Sequence, residues 1–107
     1  GGGGKMPSLA VRKMIASQRL GMMKTKELAH YLTLFNSRWS GELAKWVLDN
    51  EFTGLDFLAF VEDLSLFDAE AEHTLNRHLP HELQHLRLVL FYAHSLCLWP
   101  WAPRIDE

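Results

Sequence analysis

ELAHYLTLFNSRWSGELAKWVLDNEFTGLDFLAFVEDL, residues 27–64, is the stretch whose spacing decides the fold. Leu28, Leu32 and Phe35 recur at intervals of four and three, the period of one helical face. Thr25 can cap that helix, and a stop is expected near Asn36. Ser40 and Gly41 restart the chain, and Leu43, Trp46, Val47 and Asn50 share a face of the next helix, which the Asp49-Asn50 pair ends. A further helix opens near Thr53-Gly54 with Leu55, Leu58, Val61 and Leu64 on its stripe, widened by Phe57 and Phe60. A stripe that broad needs neighbours on more than one side.

Working outward gives more helices of the same kind. Towards the N-terminus, Pro7 and the possible cap Ser8 introduce a helix to about Met23, with Val11, Ile15 and Met22 on one side. Towards the C-terminus, Asp68 is expected to cap a short acidic helix carrying Glu70 and Glu72 in its first turn. Pro80 suits the first position of a last helix running towards Trp99 and stopped by Pro100. The composition agrees: 19 Leu stand against four Val and two Ile, which favours helices over strands. The expected fold class is all-α: short helices in an orthogonal bundle, or the first repeats of an armadillo-like helical solenoid. The expected organisation is a Gly-rich leader over 1–6, one helical domain over 7–99 and a Pro-containing tail over 100–107.

With 107 residues, 48% of them apolar, the chain has material for one core. The lone Cys97 excludes a disulfide framework, points to a reducing compartment and reads as a buried structural thiol. Residues 86–101 are apolar but interrupted by Arg87, His94 and Ser95, and are shorter than the roughly 20 residues of a spanning helix. The expectation is therefore a cytoplasmic protein with no transmembrane segment, in which residues 86–101 are central to the core or a surface for self-association.

Charge is unevenly distributed. Residues 1–48 carry net +6, residues 49–76 carry −8 with no Lys or Arg, and residues 77–107 balance. Either the two halves neutralise one another on folding, or the first presents a basic face to an acidic partner. Nucleic acid is not the expected partner, because the acidic middle repels phosphates and no nucleic-acid-binding motif is present.

One motif carries possible catalytic chemistry. His81-Glu82-Leu83-Gln84-His85 fits the H-E-x-x-H pattern, in which two imidazoles one turn apart bind zinc and the Glu activates water. A third ligand is required, and only Asp106 and Glu107 lie at a suitable distance along the chain. A zinc peptidase is thus a remote alternative. A looser grouping of His78, His81 and His85, with His73 or His94, reads as a solvated His-rich helix start, so neither cofactor nor metal is expected. Asp49 to Gly54 begins like a calcium loop but has Asp56 and Phe60 at the eighth and twelfth positions, where an apolar residue and Glu are needed.

The stretch quoted at the outset resembles the Rho-GTPase-binding and formin-homology-3 domain of formins, an armadillo-like region. The resemblance covers about residues 26–64 and rests on Leu28 and Leu32, then Trp46-Val47-Leu48, then Gly54-Leu55-Asp56-Phe57-Leu58. It implies a non-enzymatic module that binds an active Rho-family GTPase and contributes to autoregulation of actin assembly, associated with the cytoskeleton. The matched residues Trp46, Gly54, Leu55, Asp56 and Leu58 are architectural. Gly54 is expected to let the chain turn, Leu55 and Leu58 to dock on the preceding helix, and Asp56 to favour the helix start. By charge alone, Arg12, Lys13, Arg19, Lys24 and Lys26 are the candidates for contact with an acidic partner. A more general helical interaction or oligomerisation module is the alternative.

Overall fold

The computed structural model describes residues 8–35 and 37–98, the last three as backbone alone. Six helices follow in order: α1 (Leu9–Gly21), α2 (Thr25–Thr33), α3 (Arg38–Asn50), α4 (Gly54–Glu62), α5 (Leu64–Thr74) and α6 (Pro80–Leu98). No strand occurs among the described residues, so the chain is all-α. The expectations for the leader, Asn36, the Cys97 side chain, the Pro100 stop, the tail and the Asp106 and Glu107 ligands fall outside what is described.

Each helix start has a local cause. The Ser8 hydroxyl accepts from the Val11 N–H at 3.4 Å, and Ser37 and Ser40 exchange reciprocal caps at 3.1 and 3.0 Å. Lys24, rather than Thr25, is the cap position of α2, and its N–H donates to the Glu27 carboxylate at 3.2 Å. The α3 helix begins at Arg38, two residues before the expected restart, which buries Ser40 in its first turn. Its end is a Schellman closure: Glu51 adopts φ 55°, and the N–H groups of Glu51 and Phe52 return to Leu48 and Val47. That reversal seats Phe52 against Trp46, with ring centroids 4.8 Å apart.

The α4 and α5 helices are separated by a single residue. Asp63 ends α4, its N–H returning to Ala59 at 2.9 Å, and its carboxylate caps α5 through the N–H groups of Ser65 and Leu66. These hydrogen bonds, the one from the Ser65 hydroxyl foremost, hold the Asp63 carboxyl below its ordinary range. The expected helix start at Asp68 is corrected accordingly. Asp68 lies inside α5, and Glu70 and Glu72 fall in its second half.

The α2–α3 hairpin forms the most extensive helix pair, while α6 packs against α1, α3, α4 and α5. One helix touching elements from both ends of the chain makes a short bundle around α6, unlike a linear array in which units touch only their neighbours. The core combines Leu28, Leu32, Leu43 and Leu90 with an aromatic group in which Trp46 meets Phe52, Phe60 and Phe67 at 4.8–5.7 Å. Trp46 donates its indole N–H to the Thr74 hydroxyl at 2.6 Å, so its polar edge is satisfied inside this group.

Two facing assignments are corrected. The α1 helix turns Ala16 and Leu20 inward, whereas Val11 is exposed and Met22 is 80% exposed. In α4 the buried side is Gly54, Phe57 and Phe60, with Leu58 and Val61 half-buried at its margin and Leu55 66% exposed. Leu64, expected on the α4 stripe, is the first residue of α5.

Candidate interaction surface

The candidate basic residues lie on and just after α1. Arg12 is half-buried, while Lys13, Arg19, Lys24 and Lys26 are exposed. Among the described residues, these last four form no ion pair. Arg19 closes the last turn of α1, Lys24 caps α2 and Lys26 lies in its first turn, so three of them share the α1–α2 junction.

The acidic middle segment does not neutralise them through ion pairs. Asp49 pairs with Lys45 one turn back on α3, at 2.8 Å. Asp56 accepts the Thr53 N–H at 2.8 Å and so completes the start of α4, as expected of a first-turn carboxylate. Asp63 is the cap already described, and Asp68 holds Arg87 of α6 in a bidentate pair. These four carboxylates thus serve as caps or pair with Lys45 and Arg87.

Among the matched residues, Gly54 has a different duty from the one expected. Gly54 lies at the first position of α4 with its N–H donating to the Met23 carbonyl at 2.9 Å. A Cβ there would lie 1.5 Å from the Leu20 carbonyl oxygen, so the glycine is required by close approach to the end of α1 rather than by a turn. Leu55 and Leu58 lie beside Gly21 of α1, and Leu58 also packs against the core cluster. Trp46 is buried as its position implied.

The H-E-x-x-H residues form a different constellation. Glu82 accepts from the Arg77 Nη1 at 2.6 Å, and Glu42 of α3 accepts from the Arg77 Nε and its second terminal nitrogen. The Glu42 hydrogen bond, helped by Glu82, pushes the guanidinium above its already high range. Asn76, at φ 55°, turns the chain after α5, and the Arg77 N–H returns to the Ala71 carbonyl at 3.2 Å. His81 is exposed, and His85 lies parallel to the Trp39 indole at 5.2 Å and 7°. Arg38 and Arg77 approach that same indole at 4.8 and 5.9 Å. No group of three His, Cys, Asp or Glu side chains that could hold a metal occurs among the described residues. The sequence reading missed this Trp39-centred cluster because its members come from α3, the α5–α6 turn and α6.

No helix among the described residues is long and apolar enough to cross a membrane. The chain matches no protein-family model, no curated protein and no solved structure.

Proposed function

We propose that this chain is a non-enzymatic helical module that binds an acidic protein surface, with a Rho-family GTPase in its GTP state as the partner. The observation that supports the reading is the set of exposed cations Lys13, Arg19, Lys24 and Lys26, which form no ion pair among the described residues, while Asp49, Asp56, Asp63 and Asp68 of the acidic segment have partners elsewhere. Such a surface steers an acidic partner and sets its association rate. The choice of partner comes from the resemblance of residues 26–64 to the formin GTPase-binding region. With it goes a role in autoregulating a formin-like actin-assembly protein in the cytoplasm, at the cytoskeleton.

The test is binding of the purified chain to a panel of Rho-family GTPases, each loaded with a GTP analogue or with GDP, at low and high salt. Nucleotide-dependent, salt-sensitive binding is expected. In the K24E/K26E double variant, the helical circular dichroism is retained and association slows by about tenfold or more. Silence across the panel from a folded protein sinks the GTPase reading.

A further inference from the structure

The α1 helix has two apolar sides, and only one of them meets the core. Ala16 and Leu20 turn inward, and α1 packs mainly on α6 and α4. Val11, Met14 and Met22 fall on the opposite side at i, i+3 and i+11, with Ile15 half-buried at its edge and Gln18 as the polar residue among them. Val11 is 39% exposed, Met14 53% and Met22, the C-cap residue, 80%. Arg12 and Arg19, seven positions apart, follow one border of this strip.

Charge identifies the occupant. No Asp or Glu precedes Glu27 in the chain, and α1 itself carries Arg12, Lys13 and Arg19. With Lys24 and Lys26 at the junction, five cations stand against Glu27 of α2 and Asp56 and Glu62 of α4. The other helix packed on α1, α6, bears no Asp or Glu beyond Glu82 in its first turn. The surface is therefore cationic even with every neighbouring carboxylate counted, and Asp56 is already held by the Thr53 N–H. A second copy apposed through the same side would set these cations against their own kind. An apolar strip bordered by long cationic side chains, on a helix without a carboxylate, suits the plane of an anionic lipid surface. The apolar groups reach below the headgroups while the guanidinium groups stay level with the phosphates.

We propose that the outer side of α1, through Val11, Met14 and Met22 with Arg12 and Arg19 beside them, binds the surface of an anionic phospholipid bilayer. This goes beyond the GTPase reading, which rests on cations alone and gives the apolar side chains of α1 no role. The GTPase test is run without lipid, so either reading can fail while the other stands.

Co-sedimentation of the intact chain with vesicles tests it, using phosphatidylcholine alone and phosphatidylcholine containing about 30% phosphatidylserine. Binding to the anionic vesicles only, weakened by salt, is expected. Arg19→Gln should lower the partition coefficient about fivefold. Met14→Gln combined with Met22→Gln alters no charge and should lower it by about tenfold or more. All three residues are exposed, and retained helical circular dichroism confirms the fold of each variant. The proposal is overturned if the anionic vesicles leave the chain in solution or if neutral vesicles bind it equally well. It is overturned too if the double methionine variant binds as the parent does, which marks adsorption by charge alone. Sedimentation of the lipid-free chain as dimers that the same variant abolishes also overturns it, since a second copy then covers the strip.

Discussion

Gly54 and Gly41 show how one residue type answers to two demands. At Gly54 the Leu20 carbonyl occupies the space a side chain would need, and at Gly41, inside α3, nothing lies within 4 Å of an added Cβ. Gly54→Ala therefore forces α1 and α4 apart and should cost about 1–3 kcal/mol or more. Gly41→Ala should instead raise stability by about 0.5–1 kcal/mol, since it only removes backbone freedom from the unfolded chain. Urea unfolding of the two variants beside the parent checks both signs. Trp46→Ala removes the centre of the aromatic group and leaves Thr74 without its donor, and the same measurement should register a loss of about 3–5 kcal/mol.

At the scale of elements, α6 carries a pH dependence. His94 is half-buried on α6, and burial disfavours its imidazolium, with repulsion from Lys13 of α1 added and attraction to Glu62 of α4 opposing. Its pKa is lowered from the ordinary 6.5 or so. The unfolded chain therefore takes up a proton near pH 6.5 that the folded chain resists until lower pH. Stability should fall as pH drops below that value and level off once the folded form is protonated as well. His94→Gln should flatten this slope in urea unfolding series between about pH 7.5 and 5.

The helices themselves were legible, because Leu28, Leu32, Leu43 and Trp46 repeat at helical intervals and Pro80 marks a start. Their facing was less so. In α1 the inward residue beside Leu20 is the small Ala16, and the larger Val11 and Met22 outweigh it in any reading by hydrophobicity. In α4 apolar residues occur nearly all round, so period alone could not choose Phe57 and Phe60 over Leu55. Asp68 was mistaken for a cap because its partner, Arg87, lies nineteen positions along the chain and is brought near only by packing.

Across the whole molecule, the opposed charges of the two halves do not simply meet. Arg77 and Arg87 draw Glu42, Glu82 and Asp68 into ties that bind α6 to α3 and α5, and Lys45 satisfies Asp49 within α3. The cations around the α1–α2 junction stay exposed. Uneven charge was readable from the sequence, but its allocation between internal ties and an exposed face depended on which side chains the bundle brings within reach. The same holds for Trp39 and His85, forty-six positions apart, which stack on one another only because packing brings the first turn of α3 beside α6.

The single-residue joint at Asp63 constrains how this chain can change in length. Because one amino acid both closes α4 and opens α5, the phase of Phe67 and Ala71 is geared directly to that of Phe57 and Phe60. One inserted residue would swing the second pair by about 100° around the axis, and no slack exists to absorb the rotation. Substitutions can accumulate along these two helices one at a time, whereas an insertion or deletion between them would have to be matched by a wholesale re-meshing of the core.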